Sequence, residues 1–130
     1  MIEDFYIEKR IYYHDTDAGG VVYYGAYFRH LEEARCEYCR SRGIDLAAYA
    51  KKGVQFPVVH VEVEYKAPAG YGDKIRVFTR LETIGNSSLH FLQKIKREEL
   101  VLVKAKTVWA CIGSDFKSRD VPQEIRRALG

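Results

Sequence analysis

No apolar run in this 130-residue chain extends beyond a few residues, so it contains no stretch able to cross a bilayer as a helix. Residues 1–5, Met-Ile-Glu-Asp-Phe, are acidic and lack the basic and apolar regions of a signal peptide, which favours the cytoplasm. Charge of one sign is equally scarce. Lys and Arg number 21 against 18 Asp and Glu, and the resulting +3 is too small to mark a nucleic-acid protein, although a smaller anionic partner fits it. The three cysteines are an odd number, and Cys36 and Cys39 lie three apart in a helical pattern, which argues against a secreted disulfide framework. Cys36-Glu37-Tyr38-Cys39 does have the spacing of a redox or zinc half-site. No second Cys/His pair with ligand spacing accompanies it, and a redox motif belongs at a helix start. The two are read as plain helix residues, with no metal or cofactor expected. Internal repeats and low-complexity stretches are also missing, and the length is that of one domain spanning residues 1–130.

What is present is a globular composition, 47% hydrophobic and 30% charged. Residues 5 to 13 alternate, with Phe5, Ile7, Ile11 and Tyr13 on one face, and predict a first strand. From about residue 24 to 42 the period lengthens. Tyr27, Leu31, Ala34 and Tyr38 recur every three to four residues while Arg29, Glu32, Glu33, Arg35, Glu37 and Arg40 are spread more widely, which predicts an amphipathic helix stopped by Gly43. Residues 44 to 50 suggest a second short helix. Four alternating segments follow, around residues 59–65, 75–82, 89–96 and 101–111, and their short connections predict that successive strands pair antiparallel. Residues 122 to 129 read as a terminal helix. One long helix against one curved antiparallel sheet buries both apolar faces most simply, an α+β architecture.

The chemistry concentrates where the first strand meets the long helix. Tyr13-His14-Asp15-Thr16-Asp17-Ala18-Gly19-Gly20-Val21-Val22-Tyr23-Tyr24-Gly25 brings two carboxylates through a paired-glycine turn to a helix start. The first turn of a helix offers unpaired N–H groups and a partial positive charge to any oxygen placed there. A carboxylate beside such donors suits acyl chemistry, the acid attacking or activating water and the donors holding the oxyanion. Asp17 is the candidate acid, against the ordinary alternative that an Asp before glycine caps its own turn. Asp15 is assigned a structural role in the loop. His14 neighbours both acids, but adjacent strand residues point to opposite faces, so a His-Asp couple is disfavoured.

Asp15-x-Asp17-Ala18-Gly19-x-Val21-x-Tyr23-x-x-x-Tyr27, followed by an acidic, arginine-bearing helix, closely resembles the hotdog-fold acyl-CoA thioesterases of the 4-hydroxybenzoyl-CoA thioesterase-like group. Within that group it looks most like the small bacterial enzymes associated with the Tol-Pal envelope system. The resemblance implies a five-stranded antiparallel sheet wrapped around one long central helix. It implies Asp17 as nucleophile or general base and the backbone N–H of Tyr24 as the group polarising the thioester carbonyl. Homodimers or homotetramers are implied as well, with coenzyme A near subunit interfaces. Many family members carry a histidine at the position of Tyr24, so this chain brings no imidazole there and a differently shaped pocket.

The expected reaction is hydrolysis of a small acyl-CoA without metal or bound cofactor. Tyr23, Tyr24, Tyr27, Phe56 and Val58 are expected to line the acyl group between the helix and a partner subunit. Lys94, Lys96 and Arg97, with Lys104 and Lys106, form a basic stripe that could hold the coenzyme A phosphates, or else a solvated outer sheet face. Glu32 and Glu33 are rival carboxylates, since a related hotdog lineage uses a helix-borne glutamate. A Glu in an arginine-rich helix is more often ion-paired. A dehydratase of the same fold and a non-catalytic acyl-CoA-binding module are the alternative functions.

Overall fold

The computed structural model describes residues 5–130, so most of the acidic N-terminal segment considered above for targeting lies outside the described residues. Strand β1 (Phe5–Arg10) leads through a 3-10 turn at Tyr13–Asp15 into helix α1 (Tyr24–Ser41). Helix α2 (Leu46–Lys51), strands β2 (Val58–Tyr65), β3 (Lys74–Ile84), β4 (Ser88–Arg97) and β5 (Leu100–Ala110), and helix α3 (Gln123–Leu129) complete the chain. All strand pairings are antiparallel, in one sheet of order β1-β3-β4-β5-β2. This is the α+β arrangement of one long helix on one sheet.

Two expectations change. The first strand stops at Arg10, because the Asp15 N–H donates to Tyr12 O (3.0 Å) and the Thr16 N–H to Tyr13 O (3.1 Å), winding the chain into the 3-10 turn. Tyr13 is therefore 81% exposed instead of following Ile11 into the core. The second change is larger: β2 and β3 are successive but unpaired, and β2 forms the far edge beside β5. The Lys66 and Ala67 N–H groups still donate to Leu102 O of β5, at 2.8 and 3.2 Å. The chain then crosses the end of the sheet, and the Gly72 N–H reaches Ile11 O beyond β1 at 2.8 Å. That crossing lays residues 66–72 over the segment that follows β1, with an isolated bridge between Val21 and Gly70.

Helix α1 buries the stripe expected of it, Tyr27, Leu31, Ala34 and Tyr38, together with Ala26, His30, Arg35 and Cys39. At its end Gly43, with φ +78°, lets the Gly43 and Ile44 N–H groups donate to Arg40 O and Cys39 O, each at 3.0 Å. The core is divided in two. Tyr27, Leu31 and Ala34 pack on Ile75, Val77, Ile95 and Val103, whereas Tyr38 and Cys39 pack with Leu89, Phe91, Trp109 and Ile125. Between them lies a buried polar belt. Arg35 Nη1 donates to Gln93 Oε1 (3.0 Å) and Thr107 Oγ1 (3.3 Å), and Gln93 Nε2 donates to Leu31 O (2.9 Å) and Thr79 Oγ1 (3.0 Å). Arg35 reads as a surface residue from its charge, yet it is buried, because strand residues of matching polarity stand beneath it.

Candidate active site

The segment between β1 and α1 is pinned at both ends, which is what gives its middle a fixed shape. Thr16 bridges Val22, the Asp17 N–H donates to Val21 O (3.0 Å) and the Gly20 N–H donates back to Asp17 O (3.0 Å). Gly20 has φ +83°, a backbone conformation that a side chain would strain. The exposed tip of this turn carries Asp17, whose Oδ1 accepts the Gly19 N–H at 2.8 Å. Asp17 thus caps its own turn with one oxygen, while its Oδ2 has no protein partner among the described residues. Room for this is conditional on Gly19, where an added Cβ would stand 3.2 Å from Asp17 Oδ1.

Asp17, Tyr23, Tyr24 and Tyr27 line one side of an open cleft of about 390 Å³, and Tyr65, Lys66, Ala67 and Pro68 line the other. Helix α1 enters this cleft uncapped. Tyr23 stands at the N-cap with no side-chain hydrogen bond, no acid lies in the first turn, and among the described residues the Tyr24 and Gly25 N–H groups have no acceptor. Tyr65 ties the far wall to the helix, its OH donating to Tyr24 O at 3.3 Å and its ring packing against Tyr27 at 5.8 Å. The Tyr27 OH accepts the Ala69 N–H at 3.3 Å, and burial pushes its pKa up. The second wall went unrecognised in the sequence. Its Tyr65-Lys66-Ala67-Pro68 run marks only the end of a strand, and the crossing of β2 to the far edge brings it here.

The other candidates lie elsewhere. Phe56 packs on Trp109 at 5.9 Å, and Val58 begins β2 opposite Trp109. Tyr65 at the cleft is seven residues further along that strand, roughly 23 Å away. Lys94 and Lys96 lie on the sheet face away from α1, in a groove of about 430 Å³ with Phe78, Arg80, Leu92 and Lys104. Lys94 and Lys104 are direct cross-strand partners. Arg97 is separated from that stripe, since its Nη1 donates to Pro68 O (3.0 Å) and Asp73 Oδ2 (2.9 Å). Adjacent strand residues face opposite ways, and here the guanidinium secures the cleft's second wall. Glu33 pairs with Lys9, and Glu32 is exposed on α1. His14 is exposed, with Nε2 3.8 Å from Asp15 Oδ1.

Residues 12–129 match the model of the thioesterase-like superfamily. The chain belongs to that superfamily. This thioesterase-like chain is 36% identical over 118 residues to the acyl-CoA thioester hydrolase YbgC of Escherichia coli, a match covering 89% of this chain and 88% of the relative. It is 30% identical over 123 residues to the 1,4-dihydroxy-2-naphthoyl-CoA hydrolase of Nostoc punctiforme, covering 93% and 83%. Among solved structures, a 1,4-dihydroxy-2-naphthoyl-CoA thioesterase from Synechocystis aligns with a TM-score of 0.90 at 26% identity, covering 98% of this chain and 96% of that one. The architecture is the hotdog fold, and the span matched to the superfamily includes both walls of the cleft.

Proposed function

We propose that this chain hydrolyses an acyl-CoA thioester in the Asp17 cleft, releasing the free acid and coenzyme A. The observation that carries this is the meeting of a carboxylate and an uncapped helix start in one cleft of about 390 Å³. The thioester carbonyl oxygen sits against the Tyr24 and Gly25 N–H groups, which stabilise the negative charge that develops there. Asp17 Oδ2 then attacks the carbonyl carbon or removes a proton from an attacking water. The carbon–sulfur bond breaks, the sulfur leaves as the coenzyme A thiolate, and water supplies the oxygen and protons of the products. Tyr23, Tyr24, Tyr27 and Tyr65 give the cleft aromatic walls, which suit a small or planar acyl group. A hydratase on this fold would call for a histidine beside the substrate, and no histidine lines the cleft. Three free thiols fit a reducing compartment, and we place the reaction in the cytoplasm.

The enzyme works as a dimer at least. Strand β2 is an open sheet edge, and its helix-side residues Val59 and Val61 are 60% and 39% exposed. Antiparallel pairing of two β2 edges about their midpoint sets Val58 of the partner subunit opposite Tyr65, bringing Phe56 and Val58 to the acyl end of the neighbouring cleft. Lys94, Lys96 and Lys104 stand on the sheet face opposite the cleft, so they take the coenzyme A phosphates of a substrate held in another copy packed on that face, while Arg97 supports the wall of its own cleft. Lys94 and Lys104 face each other across strands, and although Glu64 stands opposite Lys104 on β2, neither lysine is in an ion pair among the described residues, which leaves both available to an anion. KM for acyl-CoA therefore rises steeply with salt, while a thioester lacking the nucleotide shows little change. A flat response would remove the lysines from the binding site.

The activity is tested by following thiol release from a panel of acyl-CoAs of increasing chain length together with an aromatic one. Release distinguishes a hydrolase from a module that only retains acyl-CoA.

A further inference from the structure

Beneath the turn that carries Asp17 lies a charged cluster that the proposed reaction does not consume. Asp15 is 1% exposed and His30 is 2% exposed, with His30 Nε2 3.3 Å from Asp15 Oδ1. Neither ring nitrogen of His30 makes a hydrogen bond among the described residues, so the 3.3 Å approach of Nε2 to Asp15 is a close polar contact and not an aligned bond. A buried imidazole ordinarily satisfies its N–H, and the acceptor beside Nε2 here is the Asp15 carboxylate.

Asp15 in turn holds both ends of the catalytic segment. Its Oδ2 accepts the Tyr12 N–H at 2.9 Å, its Oδ1 accepts from the Arg29 guanidinium, and its main-chain oxygen accepts the Tyr23 N–H at 3.2 Å. Tyr23 immediately precedes the first helical residue, and Asp17 lies between the two anchored points. Of the two side chains that α1 sends to Asp15, Arg29 is 42% exposed, so water and its own flexibility weaken its hold. His30 is fixed inside the helix-to-sheet packing. The other charged groups around the pair are Lys9 on β1, Glu33 on α1 and His14 in the 3-10 turn.

We propose that His30 is a positioning residue for the hydrolysis: through its buried Nε2 contact with Asp15 Oδ1, at 3.3 Å, it holds the turn bearing Asp17 against the start of α1. The inference rests on the assignment of Asp17 as the reacting carboxylate. His30 itself touches no substrate, because it is sealed below the cleft and does not line it. Its effect is on geometry, and small displacements of a reacting group are costly, about 10²-fold for roughly 1 Å.

The test is steady-state thiol release with His30→Phe, His30→Gln, Asp17→Asn and the His30→Phe/Asp17→Asn double variant. Phenylalanine keeps the bulk and removes the donor, whereas the glutamine amide can return a donor where Nε2 stood. The expected result is a kcat loss of about 10-fold or more in His30→Phe with KM within about twofold. His30→Gln restores most of kcat, and His30→Phe adds nothing once Asp17 is Asn. Should His30→Phe not fold, Asp15→Asn probes the same couple and is expected to show the same kcat loss at unchanged KM. Normal kcat in folded His30→Phe or Asp15→Asn, or a glutamine variant no better than phenylalanine, overturns the positioning role while leaving an inactive Asp17→Asn to support the catalytic assignment. Near-normal turnover in Asp17→Asn overturns both.

Discussion

Asp15 and Asp17 stand two residues apart and meet opposite environments, one sealed under the turn and one at its exposed tip. For Asp15 burial opposes ionisation, but the Tyr12 N–H and the neighbouring His30 and Arg29 together hold its pKa below the ordinary 3.8. At neutral pH the imidazole is uncharged, leaving the Tyr12 N–H and Arg29 as the chief stabilisers of the carboxylate. Burial dominates at His30 and keeps its pKa below 6.5, outweighing the attraction of Asp15. The unfolded chain therefore takes up a proton near pH 6.5 that the folded chain refuses, so stability falls as pH drops below that value. One such group gives a slope of at most about 1.4 kcal/mol per pH unit. Asp15 contributes stability above its unfolded value of 3.8, lost as pH falls through its lower folded value. Urea midpoints between pH 7 and 5 should show the histidine slope in the native protein and a flatter profile in His30→Phe. Equal slopes would place the titration elsewhere.

Helix α1 joins two apolar clusters across a belt in which a buried cation is met by an amide and a hydroxyl, without a carboxylate in hydrogen-bond contact among the described residues. Removing the amide strands the guanidinium, so Gln93→Leu is expected to lose about 1–3 kcal/mol in denaturant titration. Arg35→Met in that background should regain part of the loss, because a buried charge is often replaced by an apolar group without penalty. A Gln93→Leu variant as stable as the native chain contradicts this account. The belt also shows what sequence periodicity misses. Leu31, Phe91 and Trp109 are placed correctly by apolar spacing alone, whereas Arg35, His30 and Gln93 look like solvent residues until their partners on other elements are known. The motif from Asp15 to Tyr27 was legible because a turn and a helix start are local. Tyr65 and Lys66 were not, since they reach the cleft only through pairing of β2 with β5, some 40 residues distant in sequence.

As a whole molecule, the chain leaves the β2 edge and the helix-side valines beside it uncovered, while the α1 backbone runs nearest to β1 and β3. In the proposed dimer a second copy on that edge completes both sheet and cleft. Val61→Asp should therefore yield monomers by sedimentation and lose thiol release along with the dimer; a fully active monomer would mean that the cleft is complete in one chain. Hydrolysis in this cleft requires the carboxylate and the amide donors to meet at one carbon. Loss of a general base or nucleophile typically costs about 10²–10⁴ in rate. The most direct measurement is acyl-CoA thiol release by Asp17→Asn, with folding checked by circular dichroism. A folded variant slowed by at least about 10² is the predicted result, and a folded variant turning over at the native rate would contradict it.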